Sequence, residues 1–294
     1  QIGCGTFPNG LVWFRFEAEP IWVKFQKHYK ILVTCYIWLW LAMPEIMKNI
    51  LFVFLLFASS LNATTITIAV AANVSYAIEG LKTAFSSMHP NIQVRVILGS
   101  SGKLTAQIKN GAPYGLFMSA NMDYPKALYK DKLATTKPII YAQGALALLS
   151  VLERNFSKGL ELLQSKNIGR IAIANTKTAP YGKATKEALQ NAGVYTKIEE
   201  KFVYGESISQ TLSYTMTACD VGIVAKSLLY SPRMVRFKED KNWISLDTKL
   251  YTPIKQGIVL LKVAQNEQAY KDFYDFILSE EAKSIFKKYG YITQ

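Results

Sequence analysis

Beyond residue 63 the chain alternates two hydrophobic periods. Short runs with every or every second position apolar are followed by runs with apolar positions three and four apart. "TTITIAVAAN" (64–73) precedes "YAIEGLKTAFSSM" (76–88), and "IQVRVIL" (92–98) precedes "KLTAQIKNG" (103–111). "YGLFMSA", "RIAIAN", "KFVYG" and "VGIVA" lead in the same way into "YPKALYK", "KATKEALQNAG", "ISQTLSYTMT" and "SLLYS". The first pattern predicts strands and the second amphipathic helices, because side chains alternate along a strand and recur every 3.6 residues along a helix. Strand–helix alternation predicts an α/β protein with largely parallel strands. The end, "AYKDFYDFILSEEAKSIFKKYGY" (269–291), predicts two more helices, with Lys287 and Lys288 in a last turn and Gly290 just past it.

The first 63 residues read differently. "MKNILFVFLLFASSLNA" (47–63) has a start Met, a lysine, a solid apolar run and a small-residue end, the pattern of a secretory signal peptide. It predicts export to the periplasm with cleavage after Ala63, and makes residues 1–46 an upstream extension. A membrane hairpin built from 29–43 and 50–58 is the competing reading. Four of the five tryptophans (Trp13, Trp22, Trp38, Trp40) lie in this extension. Cys219 is the one cysteine after the predicted cleavage, so no internal disulfide is expected, nor a lipid anchor.

The formal net charge is +13. The first 63 residues carry five basic and three acidic side chains, so nearly all of the excess lies beyond them. An excess of this size asks for an anionic partner. Export argues against nucleic acid and leaves a membrane surface or a small anion.

Ligands of open α/β sheets bind at the carboxyl ends of strands, in the loops that open helices. Those loops are 71–75, 99–103, 175–183, 204–209 and 225–227. "LGSSGKL" (98–104) has the outline of a phosphate-binding loop, but Ile97 stands where its first glycine belongs and Leu104 where its Mg²⁺-binding hydroxyl belongs. What remains is a pair of hydroxyls at a helix N-terminus, where free N–H groups and the dipole favour an oxyanion. Pro180 places the Tyr181 N–H near a helix start with no intrahelical acceptor. Ser207 with Gln210 fits a capping box, which leaves the Ile208 N–H free. Each loop alone also reads as an ordinary helix cap.

Catalytic chemistry is sparse. The histidines are His28 and His89 alone, no G-x-S-x-G elbow occurs, and no group of residues has metal-ligand spacing. Ser101 with Lys103 as base is the one nucleophile pair to weigh, as an exported hydrolase.

Taken together, "AVAAN" (69–73), "GSSGKLTAQIKNGAPYGLFMSA" (99–120), "TAPYGKATKEAL" (178–189), "GESISQT" (205–211), "CDVGIVAKS" (219–227) and "SEEAKSIFKKYGY" (279–291) resemble the periplasmic molybdate-binding proteins of bacterial ABC importers. The resemblance covers 64–294. It implies an α/β, two-lobed periplasmic binding protein fold of type II, with a ligand cleft between lobes joined by crossover strands. Lobe I would take 64–143 plus 253–294 and lobe II 144–252, with crossovers near 139–144 and 251–257. It implies a non-enzyme that captures molybdate or tungstate and delivers it to a membrane permease, as a monomer and without a further cofactor. A sulfate or other oxyanion binder is the alternative. The implied ligand contacts are Ala72, Asn73, Ser100, Ser101, Tyr181 and Ile208. Two family positions depart: Ala225 stands where some members carry a tyrosine, and Gly115 stands near a frequent aspartate.

Overall fold

The computed structural model describes residues 2–6, 12–16, 44 and 63–293. The chain divides into two units, Gln1–Asn62 and Ala63–Gln294. In the first, β1 (Ile2–Thr6) pairs antiparallel with β2 (Val12–Phe16), Gly3 opposite Arg15. The apolar run of the predicted signal peptide and the alternative membrane hairpin lie outside the described residues. Among the described residues no helix is long and apolar enough to cross a membrane.

The second unit holds two five-stranded sheets, each flanked by helices. The first sheet combines β3 (Thr64–Ala71), β4 (Ile92–Gly99), β5 (Leu116–Met118), β6 (Ile139–Gly144) and β12 (Ile254–Leu260), in the order β4-β3-β5-β12-β6. The second combines β7 (Leu146–Leu149), β8 (Ile171–Ala174), β9 (Phe202–Gly205), β10 (Val221–Ala225) and β11 (Trp243–Ser245), in the order β11-β7-β10-β8-β9. The helices are α1 (Ala77–Met88), α2 (Ser101–Lys109), α3 (Asp123–Lys130), α4 (Pro180–Asn191), the single turn α5 (Tyr195–Ile198), α6 (Ile208–Thr217), α7 (Gln268–Leu278) and α8 (Glu280–Lys288). The fold is α/β and two-lobed.

Period-two alternation builds the first sheet. Ile66, Ile68 and Val70 of β3 pack with Phe85 of α1, Phe273 of α7 and Phe286 of α8. Ala69, between them, points the other way, into a cluster with Leu104 and Ile108 of α2 and Leu128 of α3. In the second sheet β7 ("LALL") and β8 ("IAIA") are buried at every position, as expected of strands covered on both faces.

Parallel pairing holds for β3 with β4 and β5, and for β8 with β9 and β10. It fails for β12, antiparallel to β5 and β6, and for β7, antiparallel to β10 and β11. These are the strands beside the sheet-to-sheet passages. A chain that leaves one sheet at β6 and returns at β12 enters against the local direction. The "SLLYS" run also differs: it is a 3-10 turn (Lys226–Tyr230) and not an α-helix.

The helix-end signals of α8 hold. Lys287 and Lys288 close it, and Gly290 takes φ +72°, a left-handed conformation that favours glycine. Gly115 has a steric reason as well, since a Cβ there would stand 2.3 Å from the Tyr270 ring.

Candidate functional site

The carboxyl ends of β3, β4, β8 and β9 each run into a turn that opens a helix. β3 ends in a 3-10 turn, Ala72–Val74. β4 passes through Ser100 into α2, and Ser100 has extended backbone (φ −68°, ψ 145°), as a helix N-cap should. After β8, Asn175 folds its loop: its Oδ1 accepts the Lys177 and Thr178 N–H groups at 2.8 and 3.2 Å, and its carbonyl accepts the Ala179 N–H. Pro180 then starts α4. After β9, the Ser207 hydroxyl accepts the Gln210 N–H (3.3 Å) and the Gln210 side chain accepts the Glu206 N–H (2.6 Å). The capping box is present, one residue wider than its usual form.

These four turns enclose one small cavity. Its wall is Ala71, Ala72, Asn73, Gly99, Ser100, Ser101, Ala120, Ala179, Pro180, Tyr181 and Ile208. All six residues expected from the sequence are brought together there. The cavity is narrow, closed in by main-chain turns. One compact ion fits; a nucleotide does not.

The wall carries no Lys, Arg, Asp, Glu or His. Its positive potential comes from three helix N-termini, those of α2, α4 and α6, each equivalent to about half a positive charge. Tyr181 and Ile208 sit in the first turns of α4 and α6, where N–H groups have no intrahelical acceptor. Ser101 is fully buried; its Oγ accepts the Ala120 N–H at 2.9 Å, which leaves its own proton to donate. Ser100 is the informative departure from an ordinary cap. Its hydroxyl makes no capping bond, is buried and has no hydrogen-bond partner. A buried hydroxyl left unpaired costs about 1–3 kcal/mol, and this one is free to bond an atom inside the cavity.

Asn73 differs from expectation in its side chain. Both Nδ2 hydrogens point away from a ligand role, one to Gln256 Oε1 and one to the Tyr291 oxygen, each at 2.9 Å. Its Oδ1 has no partner. The carbonyls of the same turn are already taken, Ala72 O by the Ser209 hydroxyl (2.8 Å) and Asn73 O by those of Tyr291 (2.9 Å) and Ser227 (3.1 Å). Gln256, Tyr291 and Ser227 carry no local sequence signal of this role. Burial holds the Tyr181 phenol well above its ordinary pKa, reinforced by the neighbouring Tyr291, Tyr141 and Tyr251 and opposed by the Gln256 hydrogen bond. The wall is neutral at any ordinary pH.

The hydrolase pair is not assembled as such. Lys103 pairs with Glu206, and His89 caps α1 and stacks on Phe85. Among the described residues no group of His, Cys, Asp and Glu could hold a metal ion. Ala225 is fully buried in β10 and does not reach the wall.

A family model described as bacterial extracellular solute-binding protein matches residues 66–292. The chain belongs to that family. This solute-binding protein is 36% identical over 229 residues to the molybdate-binding protein ModA of Rhodobacter capsulatus, covering 77% of this chain and 87% of the relative. Among solved structures it is similar to the Azotobacter vinelandii periplasmic molybdate-binding protein, at 28% identity and TM-score 0.72, over 78% of this chain and 99% of that one. The sulfate-binding protein SubI of Mycobacterium tuberculosis shares the fold, at 14% identity and TM-score 0.64, over 78% of this chain and 86% of that one.

Proposed function

We propose that this protein captures molybdate, or the similarly sized tungstate, and delivers it to the membrane permease of an ABC importer. The observation that carries the reading is the buried, unpartnered Ser100 hydroxyl in a neutral wall where three helix N-termini meet. Main-chain N–H groups and serine hydroxyls replace the water shell of a tetrahedral dianion. Hydrogen bonds to an ionised acceptor are about twice as strong as neutral ones, so a few donors suffice without a cationic side chain. The named relatives, molybdate-binding proteins, support the ligand class.

Ligand capture draws the two lobes together, and the closed form is what a permease recognises. Export by a signal peptide cleaved after Ala63 would place the protein in the periplasm, where a single chain suffices to bind one ion. Sulfate offers the same acceptors on a smaller body, so the cavity must reject it by size. Hydrogen phosphate carries a proton and needs an acceptor. The wall's donors leave that O–H unpaired unless Asn73 Oδ1, which has no partner, is turned to accept it.

Isothermal titration with molybdate, tungstate, sulfate and phosphate tests the reading. One-to-one binding of the two large anions, with sulfate and phosphate silent, is expected. Silence toward molybdate, or phosphate binding as tightly, would overturn it.

A further inference from the structure

The wall turn 72–74 is held from behind by a buried hydrogen-bond relay. Tyr291 follows α8, near the chain's end. Its phenol donates to Asn73 O at 2.9 Å and accepts from Asn73 Nδ2 at 2.9 Å. The second Nδ2 hydrogen goes to Gln256 Oε1, which also accepts the Tyr141 hydroxyl at 2.8 Å. Gln256 Nε2 in turn donates to the Tyr181 oxygen at 3.2 Å. Ser227, after β10, gives Asn73 O its second donor at 3.1 Å. All six residues are buried. The relay therefore runs from the chain's tail through the crossover strands β6 and β12 to α4 on the facing lobe. It ends on Tyr181, itself a residue of the cavity wall in the first turn of α4.

We propose that Tyr291 is a positioning residue for oxyanion capture. Resting on the reading above, it sets the 72–74 turn so that donors from the two lobes converge on one ion. Two bonds from one phenol, to the main chain and the side chain of Asn73, fix both the turn's backbone and its amide orientation. A single bond would leave one of them free. Burial keeps the phenol protonated, well above its ordinary range, so the clamp does not loosen as pH changes.

The test compares Tyr291→Phe with Tyr270→Phe. Tyr270 lies in the same lobe, and its phenol also accepts a main-chain N–H, that of Thr67 at 3.0 Å, but it does not line the cavity. Both variants lose a phenol hydroxyl with little change of shape. Tyr291→Phe is expected to weaken molybdate binding by about tenfold or more in titration calorimetry, and Tyr270→Phe by less than about twofold. Should Tyr291→Phe fail to fold, Ser227→Ala, which removes the other donor to Asn73 O, is expected to weaken binding about threefold or more. Unchanged affinity in Tyr291→Phe, or an equal loss in Tyr270→Phe, would overturn the proposal. Silence of the unaltered protein toward molybdate would instead remove the reading on which it rests.

Discussion

Lys103 of α2 and Glu206, just before α6, join the two lobes through an ion pair of 2.5 Å between Nζ and Oε1. Both side chains are about half exposed, at 51% and 58%, so the pair is a surface latch beside the cavity and not part of its wall. A lysine in a glycine-rich loop invites a phosphate-binding or catalytic reading; its partner here is a carboxylate of the opposite lobe.

An exposed ion pair contributes about 0.2–1 kcal/mol. Lys103→Ala is therefore expected to speed release of the bound ion by about 1.4- to 5-fold in stopped-flow measurement at low salt. The difference should fade near 1 M salt, where charges are screened within about 3 Å. A loss of binding beyond about a hundredfold would mean that Lys103 touches the ligand.

Ser101 does two things at once. Its oxygen satisfies the Ala120 N–H, and its own proton is free to donate. Ser101→Ala removes a hydrogen bond to a charged acceptor, worth about 1.5–3 kcal/mol, so affinity should fall by about 10- to 150-fold. It also strands a buried N–H. Thermal unfolding without ligand should then show a loss of about 1–3 kcal/mol. Calorimetry and melting together separate the two effects, and normal affinity in this variant would remove the hydroxyl from the site.

Gly182 follows Tyr181 in α4. A Cβ at this position would stand 2.4 Å from the carbonyl oxygens of both Ala174 and Asn175. Gly182→Ala must push α4 away from β8 and carry the Tyr181 N–H with it. Overpacking of this kind costs about 1–3 kcal/mol in stability. Molybdate affinity should fall alongside the melting temperature, and unchanged affinity would show that the Tyr181 N–H is not a ligand contact.

No wall residue titrates near neutrality, and burial keeps Tyr181 protonated. Molybdate affinity should therefore be flat between about pH 6 and 9. Fold stability behaves differently in acid. Asp220 accepts the Gly169 and Arg170 N–H groups at 2.8 and 2.9 Å, and these bonds, that of Arg170 first, hold its pKa below the ordinary carboxylate value. A depressed folded pKa gives stability that is present above the unfolded value, about 3.9, and is lost as pH falls through the folded one. Asp220→Asn should lower the melting temperature at pH 7, and the gap to the unaltered protein should close in acid.

Ser207 and Ser100 show what the sequence can and cannot reveal. Each is a serine before a helix, and each reads as a cap. Ser207 caps, because Gln210 three residues on completes the box. Ser100 does not, and only the spatial neighbours of its hydroxyl decide that. The strand–helix alternation was legible because it is local, as were Asn73, Ser100, Ser101, Tyr181 and Ile208 in their loops, whereas Ala72 followed from the family resemblance. The antiparallel entries of β7 and β12 were not, since direction follows from where the chain crosses between sheets. Nor was the clamp on Asn73, whose partners Ser227 and Tyr291 lie 154 and 218 positions away.

The most direct test locates the ion itself. Crystals of the protein grown with molybdate, measured at the molybdenum absorption edge, yield an anomalous difference map. One strong peak is expected inside the cavity, within hydrogen-bonding reach, through its oxygens, of Ser100, Ser101 and the Tyr181 and Ile208 N–H groups. A protein that binds molybdate in solution but shows its peak elsewhere would contradict the assignment of this cavity.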